Sequence, residues 1–318
     1  MQYKNAKMAS FTLKSGTQLA YQQFKPASAS FVKNALCFHG WLDNSATFSK
    51  LGPALCASGV QSTAIDFIGH GWSSHAAPSS VDHFLAKVMH GREVFDIMRE
   101  ESILQEGEKI TLIGHSMGGS VALLFAAAYP ELVDRLVLLE SFGPVVRRAE
   151  ESVTVLRKAV DAQLANEYKP RKKRTYTLES ATEARVRTAQ SWPGNQSISV
   201  EAAACLVQRG LEPVQGGEGD GSDMQFRHDN RLYLPSPSYF TPDQVSSFFD
   251  AISCKTLLVT GTEGWPVSPS LAAKNKAILE NKGLLTHVTL DGSHHLHLDP
   301  ETAPAVIDAV QNFLVGED

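Results

Sequence analysis

Residues 109–119 read Lys-Ile-Thr-Leu-Ile-Gly-His-Ser-Met-Gly-Gly, and this stretch decides the fold. The apolar run before Gly114 predicts a strand, and residues 119–128 predict a helix. A G-x-S-x-G sequence between a strand and a helix is typical of a strained turn that holds a serine outward. Glycines at 114 and 118 remove the Cβ atoms for which so tight a turn has no room. We therefore predict that Ser116 is a nucleophile at a helix amino terminus; the alternative is a purely structural glycine turn.

Apolar runs alternate with helical patterns on both sides of this turn. Further strands are predicted at residues 35–38, 61–65, 135–139, 255–259 and 286–290. Continuous apolar runs are typical of strands that are buried on both faces. Residues 11–24 add an opening hairpin around a Lys-Ser-Gly turn. We predict an α/β protein with a mostly parallel central sheet and helices on both faces.

The pattern of the sequence changes after residue 144. Residues 145–210 show helical periodicity without strands, and the Gly- and Pro-rich stretch from there to residue 245 predicts irregular loop. We predict that 145–245 form a mainly helical cap over the carboxyl edge of the sheet. Residues 1–144 and 246–318 would then form the core domain.

The composition excludes several classes of partner. The chain has 318 residues and a net charge of −5, with 43% hydrophobic and 20% charged residues, as in ordinary globular proteins. This acidic balance predicts no nucleic-acid partner. The basic run at 171–174 is predicted to be a solvated turn rather than a targeting or phosphate-binding patch. No apolar stretch has transmembrane length, so we predict no integral membrane segment. The oligomeric state is not indicated.

The terminal residues and the cysteines are the features from which we predict the cellular location. The first residues lack the apolar stretch of a secretory signal, so we expect a cytoplasmic protein. A peroxisomal location is the alternative, although the final Gly-Glu-Asp is not a peroxisomal address. The cysteines are spread without metal-ligand spacing, and we expect them to be reduced and buried, where they fill space. They are Cys37, Cys56, Cys205 and Cys254.

A serine hydroxyl needs a general base, which is most often a histidine. Histidines cluster at residues 292–300, Gly-Ser-His-His-Leu-His-Leu-Asp-Pro, between the last predicted strand and the last predicted helix. We predict His294 as the base, with His295 and His297 as alternatives. Such a cluster can also bind a metal, but no Glu or Cys partner stands at a matching spacing, so neither a metal nor a cofactor is predicted. Asp299 is expected to cap the following helix.

The histidine in turn needs a carboxylate, for which there are two candidates. Glu140 ends the strand that follows the nucleophile helix. Glu263 follows strand 255–259, where many hydrolases carry their acid in a G-x-x-D pattern. Residues 261–264 read Gly-Thr-Glu-Gly here, so glycine stands in the expected Asp position. We predict Glu140 as the acid and keep Glu263 in reserve.

The developing oxyanion needs two backbone donors. The amide of Met117, directly after the serine, is one candidate, and the amide of Trp41 in His39-Gly40-Trp41 is the other. His39 is expected to support this turn rather than to take part in catalysis. The glycine-rich turn at 66–73 lacks the ending of a P-loop, so we expect Asp66 to bond backbone amides there.

Several stretches of the chain resemble a known family, the serine hydrolase-like proteins of animals, within the α/β-hydrolase fold superfamily. These stretches are Leu-Cys-Phe-His-Gly-Trp-Leu-Asp-Asn at 36–44, Asp-Phe-Ile-Gly-His-Gly-Trp-Ser-Ser-His at 66–75, Gly-His-Ser-Met-Gly-Gly at 114–119 and Leu-Leu-Glu at 138–140. The similarity spans nearly the whole chain and is weak in the predicted cap. It implies an α/β-hydrolase fold with a cap, a Ser116 nucleophile, a His294 base and an acidic residue at Glu140.

The residues and the resemblance lead to one leading hypothesis for function. We expect a cofactor-free serine hydrolase that cleaves a small-molecule carboxylic ester or thioester through an acyl-enzyme. By fold analogy, a capped site favours small or medium apolar acyl groups. The alternatives are C–C bond hydrolysis or acyl transfer by the same triad, and a non-catalytic protein that binds a hydrophobic ligand. Ser116 argues against epoxide opening and dehalogenation, for which the related enzymes use an aspartate nucleophile.

Overall fold

A computed structural model describes residues 6–26, 33–77, 84–169, 173–214 and 223–316. The strands are β1 (Ala6–Thr12), β2 (Gln18–Phe24), β3 (Lys33–Phe38), β4 (Val60–Ile65), β5 (Ile110–His115), β6 (Val133–Leu139), β7 (Leu211–Pro213), β8 (Met224–Phe226), β9 (Lys255–Glu263) and β10 (Leu285–Ser293). The helices are α1 (Leu51–Ala57), α2 (Phe84–Glu100), α3 (Met117–Ala128), α4 (Ser152–Tyr168), α5 (Leu178–Gln190), α6 (Val200–Gly210), α7 (Pro242–Ala251), α8 (Pro269–Asn281) and α9 (Ala303–Val315).

Eight of these strands form one sheet in the order β1-β2-β4-β3-β5-β6-β9-β10. The pairs β1–β2 and β2–β4 are antiparallel, and the five pairs from β4 to β10 are parallel. Every residue of β4 and β5 is buried, including the polar Gln61, Ser62 and Thr63 of β4, as expected for strands that are covered on both faces. The predicted opening hairpin and the mostly parallel sheet are confirmed.

Helices cover both faces of the sheet, as predicted. On one face, Phe95 of α2 and Phe125 of α3 lie 6.3 Å apart within a large core cluster. On the other face, Leu55 of α1 and Val310 of α9 belong to a second cluster. A parallel sheet that is buried on both faces needs a separate core on each face. The two cores hold the carboxyl ends of the strands at one edge of the sheet.

The segment after β6 carries α4, α5, α6 and the short hairpin β7–β8. The prediction of irregular loop up to residue 245 was wrong in part, because Leu211 pairs with Phe226 and α7 begins at Pro242. The boundary predicted after residue 245 falls inside α7, whose Val245 and Phe249 pack in the main core. A capping box of Thr241 and Gln244 around that proline starts the helix.

The prediction that Asp299 caps the last helix also needs a correction. The last helix begins at Ala303 rather than directly after Asp299, because residues 299–302 form a turn in which the Asp299 carbonyl accepts from Thr302 and Ala303. The Asp299 carboxylate instead accepts from the backbone N–H of Ser199, at 3.1 Å. The side chain therefore ties the start of α6 to the histidine-rich loop.

Two buried ion pairs join the α5–α6 region to the carboxyl edge of the sheet. Arg185 on α5 contacts the carboxylate of Asp43. Arg209 on α6 contacts Asp66 twice, with Nη2–Oδ2 at 2.8 Å and Nε–Oδ1 at 3.3 Å. Asp66 also accepts from the backbone of Ser45 and Trp72, which confirms that it bonds backbone amides.

We expect Arg209→Met to lower the free energy of unfolding by about 3 kcal/mol, because it leaves the fully buried carboxylate of Asp66 without its cation. Urea unfolding followed by circular dichroism measures the change. The control is Arg187→Met, which removes an exposed i,i+4 pair with Glu183 and should cost less than about 0.5 kcal/mol. Equal losses in both variants would contradict the structural role of the Arg209 pair.

Three further expectations concern the chain as a whole. None of the four cysteines forms a disulfide; Cys37 and Cys254 are buried as expected, whereas Cys56 and Cys205 are partly exposed. The first two residues of the basic run at 171–174 lie outside the described residues, and Lys173 forms a salt bridge with Glu212 at 3.4 Å. In the described part of the chain, no helix combines the length and the apolar character needed to cross a membrane.

Candidate active site

The G-x-S-x-G stretch forms the sharp turn between β5 and α3. Ser116 has φ 53° and ψ −118°, a strained combination for a residue with a side chain. A Cβ on Gly114 would lie 2.4 Å from the carbonyl oxygen of Gly118, and one on Gly118 would lie 2.1 Å from that of Phe38. Both glycines are thus required by close backbone approach, and Ser116 stands at the amino terminus of α3.

Glu140 and His294 meet beside this turn. Oε2 of Glu140 lies 3.1 Å from Nδ1 of His294, and both side chains are buried. The backbone N–H of Gly261 donates to Oε1 and that of Trp265 donates to Oε2, each at 2.7 Å. Three donors therefore hold the carboxylate in one orientation toward the imidazole.

Burial and hydrogen bonding have opposite effects on the pKa values of Glu140 and His294. Burial alone would raise the pKa of Glu140, but the hydrogen bonds from His294, Gly261 and Trp265 outweigh it and lower the pKa below its ordinary value. Burial also dominates at His294 and lowers its pKa, although the bond to Glu140 works in the opposite direction. At neutral pH the pair is therefore a carboxylate and a neutral imidazole. The carboxylate accepts from Nδ1–H, so Nε2 of His294 is unprotonated.

The structure does not bring Glu263, the reserve acid, to His294. Strand β9 runs on to Glu263, so this residue is not in the loop where it was expected. Its carboxylate is exposed and accepts from Nδ2 of Asn195 at 3.0 Å. A Cβ on Gly264, in the expected Asp position, would lie 2.4 Å from Oε1 of Glu140. Glu140 thus reaches the place that an aspartate at 264 would fill.

The two proposed oxyanion donors, Trp41 and Met117, line the same cavity as Ser116 and His294. The turn that carries Trp41 is supported by the buried side chain of His39. Nε2 of His39 accepts from the backbone N–H of Phe67 at 3.0 Å, and Nδ1 donates to the carbonyl of Gly40 at 2.7 Å. Both ring nitrogens are engaged, which agrees with the structural role predicted for His39.

Behind His294 lies a buried polar cluster that the sequence did not reveal. It consists of Asp43, His115, Arg185 and His295. Nε2 of His115 donates to the backbone carbonyl of His294 at 2.9 Å, and Nε2 of His295 lies 3.0 Å from Oδ2 of Asp43. Because His115 adjoins the serine, one imidazole connects the nucleophile turn to the histidine loop.

Of the alternative bases, His295 is buried in this cluster and His297 lies outside the cavity lining. Burial lowers the pKa of His295 to about 3. Nε2 of His297 lies 2.8 Å from the hydroxyl of Thr47, and burial lowers its pKa as well. The carboxylate Oε2 of Glu140 is within hydrogen-bonding distance of His294 rather than of either neighbour.

The same cluster contains the one group of potential metal ligands found among the described residues. Asp43, His115 and His295 offer ligand atoms within 4.8 Å of one another. However, the guanidinium of Arg185 contacts Asp43 and lies 3.3 Å from Nε2 of His295. A cation in this place neutralises the carboxylate and repels a divalent ion. The donor set therefore suits an ion pair better than a metal.

A large cavity surrounds the serine. Its volume is about 1170 Å³, slightly above the ordinary range of ligand pockets, and Ser116, Glu140 and His294 all line it. Most of the remaining wall is apolar, including Phe142, Trp265 and residues of α4. This arrangement can hold a carbonyl substrate with a sizeable apolar part next to the serine.

Comparison with known proteins agrees with the fold. A sequence profile described as alpha/beta hydrolase fold matches residues 36–301. The chain is 33% identical over 286 residues to a serine hydrolase-like protein of Danio rerio, covering 87% of this chain and 81% of that protein. It is 29% identical over 277 residues to a probable serine hydrolase of Drosophila melanogaster, covering 86% and 79%.

A solved structure is also similar over its full length. The crystal structure of a hypothetical protein from Pseudomonas aeruginosa PAO1 matches with a TM-score of 0.80 and 35% identity, and covers 98% of this chain and 99% of that one. The resemblance noted from the sequence is therefore confirmed, and the relatives support a hydrolase. On its fold, its family profile and these relatives, the chain belongs to the alpha/beta hydrolase fold family, with serine hydrolase-like proteins among its relatives.

Proposed function

We propose that this protein is a cofactor-free serine hydrolase that cleaves a carboxylic ester or thioester. The nucleophile is Ser116, the base is His294 and the orienting acid is Glu140. The observation that carries the proposal is the 3.1 Å contact between Nδ1 of His294 and Oε2 of Glu140, on the wall of the cavity that Ser116 also lines. Serine, histidine and carboxylate in one cavity suit acyl transfer to water.

The steps follow from the protonation of the pair. Nε2 of His294 takes the hydroxyl proton as Oγ of Ser116 attacks the carbonyl carbon, and Glu140 stabilises the imidazolium. The backbone N–H groups of Trp41 and Met117 stabilise the oxyanion. His294 then protonates the departing alcohol or thiol, which leaves an acyl-enzyme on Ser116. Water, deprotonated by His294, then attacks the acyl carbon; the bond to Oγ of Ser116 breaks, the acid leaves, and His294 returns the proton to Oγ.

We propose in addition that the helical segment from residue 145 up to α7 acts as a cap over the serine. Val160 and Leu164 of α4 and Tyr233 line the same cavity as Ser116, which supports this role. The buried contact of Arg185 with Asp43 anchors the segment beside the oxyanion turn. A cap of this kind keeps bulk water away from the acyl-enzyme.

A fluorophosphonate probe tests the proposal, because it reacts with activated serines. We expect stoichiometric labelling of the wild-type protein, located at Ser116 by mass spectrometry. The Ser116→Ala and His294→Ala variants should not be labelled. The control is Ser120→Ala, since Ser120 lines the same cavity but has no assigned role. A folded wild-type protein that stays unlabelled would contradict the hydrolase and favour a protein that only binds a ligand.

The pH dependence of activity follows from the pKa of His294. Catalysis needs the neutral imidazole, so kcat/KM should rise with pH through the pKa of His294 and then stay level. Since burial lowers that pKa, the midpoint of the acidic limb should lie below 6.5. Initial rates measured from pH 4 to 9 on a nitrophenyl ester check this. A midpoint well above 6.5 would show that another group controls the rate.

A further inference from the structure

Helix α4 carries an exposed apolar stripe. Val153, Leu156, Val160 and Leu164 recur at intervals of three and four residues, which places them on one face of the helix. The exposed fractions of these side chains are 80%, 51%, 46% and 46%. An amphipathic helix ordinarily buries such a stripe, whereas the described chain leaves this one about half or more uncovered along its length.

The carboxyl-terminal half of this stripe lies on the wall of the active-site cavity. Val160 and Leu164 line the cavity together with Ala159 and Gln163, while Val153 and Leu156 do not line it. The four lining residues are uncharged. The two acidic side chains of the cavity wall are already engaged, Glu140 by His294 and Asp43 by Arg185.

Other exposed apolar side chains converge on the same place. About half of the large apolar side chains that are exposed in the described residues line this cavity, including Trp41, Tyr233, Trp265 and Val267. Trp41 and Tyr233 contact each other edge to face, with ring centroids 5.7 Å apart. Exposed apolar groups gathered in one concave site mark a binding surface for an apolar ligand.

We propose that Val160 and Leu164 of α4 form the subsite for the acyl chain of the substrate, and that the enzyme prefers linear apolar acyl groups of medium length or longer. This inference rests on the proposed function, because it takes the acyl carbonyl to lie at Ser116. An acyl chain is the ligand that fits, since Val160 and Leu164 line the same cavity of about 1170 Å³ as Ser116. Such a volume exceeds what the smaller of the acyl groups expected by fold analogy, such as acetyl, require.

The test is the acyl-length profile of p-nitrophenyl esters, from acetate to dodecanoate. For the wild type, kcat/KM should rise at least ~10-fold from acetate to octanoate, because each buried methylene strengthens binding up to about 4-fold. In Val160→Ser/Leu164→Ser, the ratio of kcat/KM for octanoate over acetate should fall about 10-fold. The matched control, Val153→Ser/Leu156→Ser, changes the same residue types on the same helix and should keep the wild-type ratio.

Calorimetric titration with dodecanoate separates the subsite from the catalytic proposal. The acid should bind the wild type and the Val153/Leu156 variant equally, and the Val160/Leu164 variant about 10-fold more weakly. If the protein binds dodecanoate in this pattern but hydrolyses no ester, the subsite stands and the proposed function fails. If the two double variants have the same ester ratios and the same affinity for dodecanoate, α4 does not bind the acyl chain and the inference is overturned.

Discussion

The His294→Ala variant should hydrolyse an ester substrate about 10⁵ times more slowly than the wild type, because Ser116 then lacks the base that removes its proton. The loss should appear in kcat, since the imidazole acts in the transition state rather than in substrate binding. Steady-state kinetics on p-nitrophenyl butyrate measure it. The fold should survive, because Glu140 still accepts from the backbone of Gly261 and Trp265 after the imidazole is removed.

His297→Gln is the matched control for this variant. His297 was an alternative base on sequence grounds, and its Nε2 is within 2.8 Å of the Thr47 hydroxyl. A glutamine amide can keep that hydrogen bond. We expect kcat within about 10-fold of the wild type, as for a substitution away from the reacting atoms. A folded His297→Gln protein as inactive as His294→Ala would move the base from His294 to His297.

The fold was predictable from the sequence because its periodicity is strong. Buried strands such as β3 and β5 are mostly apolar, whereas β4 carries Gln61, Ser62 and Thr63, and the helices between the strands are amphipathic or apolar. The region from 211 to 245 was not predictable in this way. Strands of three residues, Leu211–Pro213 and Met224–Phe226, are too short to show a period. The start of α7 did have a signal, Thr241-Pro-Asp-Gln244, which is a capping box with proline at the first helical position.

The placement of two candidate site residues was predictable, because each follows the end of a predicted strand. Ser116 and Glu140 stand at the ends of β5 and β6, and ends of parallel strands meet at one edge of the sheet. The buried polar cluster behind His294 was not predictable from positions at strand ends. Arg185 and Asp43 are 142 residues apart in the chain, and only the tertiary placement of α5, which packs on α6, brings them together. A single sequence contains no local pattern for such a contact.

The identity of the acid is tested by a matched pair of variants, Glu140→Gln and Glu263→Gln. Glu140→Gln should lower kcat about 10²–10⁴-fold, because a neutral amide cannot stabilise the imidazolium that forms on His294. In the glutamine side chain, an NH₂ donor also takes the place of one of the two carboxylate oxygens, both of which are acceptors. Of the backbone N–H groups of Gly261 and Trp265, at least one then loses its acceptor, so some loss of stability should accompany the loss of rate.

Glu263→Gln makes the same chemical change at an exposed carboxylate that bonds Asn195, and it should leave kcat within about 2-fold of the wild type. The pH profile separates catalytic from structural effects. Since Glu140 forms a hydrogen bond that raises the pKa of His294 against its burial, Glu140→Gln should move the acidic limb of kcat/KM to lower pH, whereas Glu263→Gln should not move it. If Glu263→Gln is the slow variant and Glu140→Gln keeps both its rate and its pH profile, the acid is Glu263. The orientation of Glu140 toward His294 would then be structural only.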